Sequence, residues 1–310
     1  SNNDSLNVSI NEASVIPRYN KIAFGKRAGH QVDRTEMKLN KIQLKNISTG
    51  DLIKHRLKAH TFSIHHLNVS VFRDRRLPRL KDTQYLPVEM IRQIPVPVHL
   101  DTFKIDNGVV EYEEFPKEGD HTGTLKIENA GITITPFISH HLKGDPDRML
   151  MTTKGSIMGS GKIFASIYLP FHSDNYKVKG AIENLELTKL NDGSENLGKI
   201  HIKSGFLDSL GFDFSFNKVK SSGKIVGVYH QLIIQPLKNN SDKKKIAKFR
   251  SFVLRHLIIP LNKDRSLAEK KRTGEIDYPY DPTRKVSYYL LQSLLTGIKS
   301  SFKLGFLLPK

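Results

Sequence analysis

From Gly159 to Leu237 apolar and polar residues alternate with a period of two, segment after segment. Ile163, Ala165, Ile167 and Leu169 form one such set, and Tyr176, Val178, Gly180 and Ile182 the next. Leu185 and Leu187 follow, then Phe212, Phe214 and Phe216, then Ile225, Gly227 and Tyr229. Neighbouring side chains on a strand point to opposite faces, so this pattern predicts a meandering antiparallel sheet with one apolar face. Such a face must be covered by a second layer, closed on itself, or given something apolar to hold.

The 310 residues suffice for one large β domain or two smaller ones. No cysteine is present, which excludes disulfides, thiol catalysis and thiolate metal sites. The formal net charge of +18 favours anionic partners: lipid headgroups, phosphorylated glycolipid or nucleic acid. No apolar run approaches the roughly 18 residues of a spanning helix. The chain opens on Ser1-Asn2-Asn3 with no signal-peptide core, as expected of a mature fragment whose leader is gone.

Three regions are expected: an N-terminal β region over 1–96, a central antiparallel sheet over 97–237, and a C-terminal part over 238–310 that caps the same sheet. Leu6, Val8 and Ile10 predict the first strand. Met37 and Leu39 slip out of phase with Ile42 and Leu44, as Phe62 and Ile64 do with Leu67, Val69 and Val71; each slip predicts a β-bulge or a turn. Pro78, Pro87, Pro95 and Pro97 mark a connector, with Pro87 opening a short helix through Ile94. Turns are expected at Asp106-Asn107-Gly108, at Lys117-Glu118-Gly119-Asp120 and at Asp192-Gly193, and a loop over Pro136 to Met149. Glu275 to Tyr278 reads as a last strand. Asp281-Pro282 then reads as the start of a helix whose apolar face is Val286, Leu290, Leu291, Leu294, Leu295, Ile298 and Phe302.

No catalytic motif emerges, and a non-enzymatic role without cofactor is expected. Gly159-Ser160-Gly161-Lys162 resembles the end of a phosphate loop, but Ser156 replaces the required first glycine and Ile163 the magnesium-binding hydroxyl, so a hairpin turn is the better reading. His65-His66 and His140-His141 are adjacent pairs that point apart on a strand, and Asp145 and Asp147 lie in a loop, so no metal site is expected. Glu111 and Glu113 share a face opposite Tyr112, as on a solvated strand.

Residues 238–272 hold twelve Lys or Arg against three acids, half of the net charge. Lys243, Lys244, Lys245, Lys248, Arg250 and Arg255 share this segment with Ile246, Phe249, Val253 and Leu257 at helical spacing. A basic amphipathic helix of this kind suits an anionic membrane surface; its bland alternative is a cap on the sheet with its charges in water. A nucleic-acid reader would need aromatics interleaved along a groove, and Phe249 belongs to the apolar side.

The stretches GSGKIFASIYLPFHSDNYKVKGAIENLELTKLN and IKSGFLDSLGFDFSFNKVKSSGKIVGVYHQLIIQPL resemble the C-terminal region of AsmA-like proteins, the bacterial envelope family that includes TamB. IPVPVHLDTFKIDNGVVEYEE and the tail RTGEIDYPYDPTRKVSYYLLQSLLTGIKSSFKLG are similar to Bacteroidetes-type members. The resemblance covers residues 95–310 well and the first third loosely. It implies a mainly β (α+β) fold, a long curved antiparallel sheet, taco- or groove-like, with C-terminal amphipathic helices closing one end. It also implies a periplasmic location, an inner-membrane anchor on an N-terminal segment absent from this chain, and a part in outer-membrane assembly or homeostasis. The expected partners are phospholipid or another anionic lipid, the membrane surface and other envelope proteins, with no nucleic acid. Ile163, Ile167, Leu169, Phe212, Phe214 and Phe216 are the residues expected to line a lipid groove. Fifteen to eighteen strands, each about 20 Å long, would give a groove of roughly 70–85 Å. The alternative is a structural or scaffolding envelope protein whose helices plug the sheet, and, less favoured, a basic nucleic-acid-binding protein.

Overall fold

A computed structural model describes residues 5–198, 200–237 and 271–301. They form one twelve-stranded, open, curved sheet, mainly antiparallel, with a C-terminal helix against it. The strands are β1 (Ser5–Val15), β2 (Arg34–Ser48), β3 (Leu57–Asp74), β4 (Val98–Phe115), β5 (Gly123–Thr135) and β6 (Phe137–Ile138). β7 (Arg148–Ile157), β8 (Gly161–Pro170), β9 (Tyr176–Glu186), β10 (Ile200–Phe216), β11 (Lys220–Pro236) and β12 (Arg272–Pro279) complete it. Neighbours in sequence are neighbours in the sheet throughout, save that the two-residue β6 pairs back onto β4. The helices are α1 (Lys21–Ala28), α2 (Thr49–Ile53), α3 (Pro87–Arg92), α4 (Asn191–Gly198) after a 3-10 turn at Leu187–Leu190, and α5 (Val286–Ser301).

The strands are fewer and longer than the sequence suggests. β3 and β4 each run for 18 residues, close to 60 Å at about 3.3 Å per residue. The eleven strands on the main path give about 48 Å across the sheet at about 4.8 Å per step. The cause lies in the phase slips. They are bulges, and Asp106-Asn107-Gly108, expected as a turn, is one of them, inside β4. Each bulge carries a residue in the left-handed region: Lys41 in β2, His66 in β3, Asn107 in β4 and Asn129 in β5, with φ between 50° and 56°. One extra residue on a strand restores the side-chain phase, so Leu39 and Ile42 face the same side although three apart. Four adjacent strands bulge at neighbouring positions, and bulges add bend and twist where they stack. Asp192-Gly193 also departs from expectation: Asp192 opens α4, where its carboxylate accepts from Thr124 N at 2.7 Å. Phe137 and Ile138 pair with β4, so strand structure enters the expected loop over 136–149.

β3 and β4 are the one parallel pair, Leu57 opposite Val98 and Asp74 opposite Phe115. A parallel pair needs a crossover, because the chain must return from the end of β3 to the start of β4. Residues 75–97, the proline-rich connector, make that return. Pro87 opens α3, whose first turn is fixed by Leu86 N donating to Glu89 Oε2 at 3.0 Å. Leu86 and Val88 are buried in the same core as Tyr176, Phe214 and Phe216, so the crossover lies on the apolar face.

α5 covers the same face at the β12 edge, with Val286, Leu290, Leu294 and Ile298 of the expected apolar face packed, partly buried, against the core. Tyr289, Ser293 and Gly297 are its buried residues, four apart, whereas Leu291 is half exposed. Small residues let the helix lie on the sheet: a Cβ on Gly274 of β12 would come within 1.9 Å of Gly297 O. Ser293 Oγ donates to Ser221 Oγ at 2.7 Å, and Tyr289 Oη to Asn217 O at 3.1 Å. Asp281 does not cap α5; its carboxylate accepts from Thr283 N at 2.8 Å in a separate turn before Val286. Phe302 lies outside the described residues.

The sheet curls about this face. Asp33, just before β2, accepts from Arg73 Nε at 2.6 Å and pairs with Lys285, just before α5. β2 and β12 are nine steps apart in strand order, about 43 Å if the sheet were flat. Arg79 Nη1 of the connector, donating to Thr283 Oγ1 at 3.1 Å, ties the same two regions together.

A candidate lipid-binding face

Register places the apolar residues in rows that run across the strands. One row reads Val8, Leu44, Phe62, Phe103, Ile134, Met151, Ile167, Val178, Phe214, Gly223, Ile276, each directly opposite the next. Beside it runs Ile10, Ile42, Ile64, Ile105, Ile132, Thr153, Ala165, Gly180, Phe212, Ile225, Gly274. The alternating row on the other face is Ser9, Gln43, Ser63, Lys104, Thr133, Thr152, Ser166, Lys179, Asp213, Lys224, Glu275, with no apolar member. An apolar track therefore crosses the strands from β1 to β12 at right angles to the chain, backed by a polar row, with Phe164, Tyr168 and Val226 exposed elsewhere on that outer face.

Burial along this track is graded. Leu6, Val8 and Ile10 at the β1 edge are 47%, 41% and 46% exposed. Leu44, Phe62, Phe103, Ile105, Ile132 and Met151 are partly buried, Phe62 and Phe103 stacking at 5.4 Å, while Ile64 and Ile134 on the same rows are buried. Beyond β8 the track disappears under the connector and α5: Val178, Phe214 and Ile276 are at most 4% exposed. The track is open at one end and plugged at the other.

The six residues expected to line a groove fall on this one face, but not in one environment. Leu169, Phe212, Phe214 and Phe216 are buried. Phe216 stacks on Tyr176 at 4.9 Å and meets Tyr289 of α5 edge-on at 5.7 Å. Phe212 lies against Gly180, where a Cβ would approach its ring to 2.6 Å. These four are core. Ile163 and Ile167 are partly buried and belong to the open track. The residues that sequence reasoning did not single out are those of β1 to β5, although the same alternation marks them once the bulges are allowed for.

Lys243, Lys244, Lys245, Lys248, Arg250 and Arg255 lie outside the described residues. Several charged side chains among the described residues are paired. Glu113 pairs with Lys21 of α1, and Glu114 accepts from Arg75 Nη1 at 2.9 Å and from Tyr112 Oη at 2.5 Å. Glu113 and Glu111 share a small depression with Glu36, Lys21 and Arg34. The Arg76 fork holds the buried Asp74 carboxyl below its ordinary range. Burial pushes the Tyr176 and Tyr289 phenols up to about 12, as expected of hydroxyls facing a dry core. A depression of about 380 Å³ at the β1–β2 edge is lined by Asn7, Val8, Ser9, Gln43, Lys45 and Asn46, mostly polar, and does not extend the apolar track. No helix among the described residues is long and apolar enough to cross a membrane.

Neither family models nor curated proteins give a match to this chain.

Proposed function

We propose that the protein binds phospholipid, acyl chains down, along the open part of the apolar face, and acts without chemistry of its own. The observation that carries this reading is the pair of apolar rows crossing the strands from β1 to β8, interrupted by Thr153 in the second row. Exposing an acyl chain of about 14 carbons to water costs on the order of 10 kcal/mol, at about 0.8 kcal/mol per methylene. A track that offers the same apolar surface at each strand step removes most of that cost at every step. A chain held there moves along it against small barriers. The net charge of +18 suits anionic headgroups left at the rim. The resemblance to AsmA-like envelope proteins supports the same reading and, with it, a periplasmic place and a part in outer-membrane homeostasis.

One observation favours the structural alternative for half of the molecule. The phenylalanine face of β8 to β12 is filled by protein, so that half serves as scaffold and plug. Native mass spectrometry of protein purified without delipidation tests the reading. Bound phospholipid, lost in Phe62→Asp but kept in Thr152→Asp on the exposed outer face, is expected. Lipid-free protein from a lipid-containing lysate overturns it.

A further inference from the structure

We infer that His141, Asp147 and His172 form a binding site for a late first-row divalent cation, with zinc the natural probe. One ligand atom from each of the three side chains lies within 4.8 Å of the other two. They come from two segments far apart in sequence: His141 and Asp147 from the loop joining β6 to β7, His172 from the turn after β8.

The backbone holds both segments in place. Phe171 N donates to Asp147 O at 3.0 Å, and Arg92 Nη2 of the connector donates to Phe171 O at 2.7 Å. The His141 ring lies 4.7 Å from Phe171 and meets the His172 ring edge-on at 4.7 Å. His141 Nε2 is enclosed and has no hydrogen-bond partner among the described residues. An unpartnered buried nitrogen is costly, and an ion bound there supplies its partner. The neighbouring polar groups are already engaged and leave the cluster to itself. Asp145 accepts from Leu142 N at 2.8 Å and faces His99, and His140 Nδ1 meets Ser139 Oγ at 2.9 Å.

Two imidazoles and a carboxylate are the donor set of three-ligand zinc sites, with a fourth position left to water. Zinc bonds of about 2.0–2.1 Å set tetrahedral ligand atoms about 3.3 Å apart. Asp147 and His172 are exposed and free to close that distance by side-chain rotation. A bound ion would tie the β6–β7 loop to the end of β8, at the rim where the connector crosses.

Zinc titration of the purified chain after chelator dialysis, read with a chromophoric competitor and by thermal unfolding, tests the site. The expected result is one zinc ion per chain and a zinc-dependent rise in Tm. His172→Ala and Asp147→Ala should each weaken binding by at least about tenfold and remove the rise. Both positions are exposed, so circular dichroism should show both variants folded. The double variant His65→Ala/His66→Ala should bind as wild type. Equal zinc uptake by wild type and His172→Ala, or none by wild type, overturns the site.

Discussion

At the scale of single residues, the track divides by what lies over it. Phe214 is 3% exposed beneath the connector, and its truncation to Ala should cost about 3–5 kcal/mol in urea unfolding. Val8, 41% exposed on the same row, should cost no more than about 0.5 kcal/mol. Equal losses at the two positions would contradict the open-to-plugged gradient. Tyr289 gives a second test. Its folded phenol is pushed up to about 12, above the value near 10 of an unfolded tyrosine. Its contribution is whole below about pH 10 and drains away as pH rises toward 12, because the unfolded chain loses the proton first. Tyr289→Phe should therefore be less stable than wild type at pH 8, by about 1 kcal/mol for the lost bond to Asn217. The gap should narrow as denaturation is measured at higher pH. The alternation made Phe212, Phe214 and Phe216 legible as one face, but it carries no information on what covers that face. Their cover is the connector and α5, chosen by tertiary contact.

Elements were legible in kind more than in extent. The slips at Leu39/Ile42 and Ile64/Leu67 were readable as a bulge or a turn and are bulges, whereas Asp106-Asn107-Gly108 carries the composition of a turn and folds as a bulge. The two need the same residue types, since both place a residue at positive φ, and only pairing with the neighbouring strand separates them. Asn107→Gly should be neutral within about 0.5 kcal/mol or slightly stabilising, and Asn107→Val should cost at least about 1 kcal/mol, since a β-branched side chain resists the left-handed region. Similar stabilities for the two in chemical denaturation would argue against the bulge. The α5 face was read in part: Val286, Leu290, Leu294 and Ile298 do pack on the core, but helical periodicity counts apolar residues, and Ser293 and Gly297, which lie closest to the sheet, escape it. Gly274→Ala sets a methyl group against Gly297 O and should lift the helix, costing about 1–3 kcal/mol and raising protease cleavage near residues 286–301. His141 and Asp147 are visible in the sequence but read there as no metal site, because His172 reaches them only through the β7–β8 hairpin.

For the whole molecule, one continuous sheet does two jobs. Its later strands, with the connector and α5 on them, form a packed body. Its earlier strands extend the same apolar rows outward with partial cover. Bulges stacked across β2 to β5 bend the sheet, and the tie between Asp33 and Lys285 holds two distant parts of it together. The proposed lipid track depends on the inner face alone, and that makes it open to a direct comparison of the two faces. A photo-crosslinking side chain placed at Leu44 or Phe62 on the inner rows, and at Gln43 or Thr152 on the outer, would be irradiated in cells and the adducts analysed for lipid. The account predicts phospholipid adducts at 44 and 62 and none above background at 43 and 152. Adducts of equal yield on both faces, or none on the inner one, would contradict it.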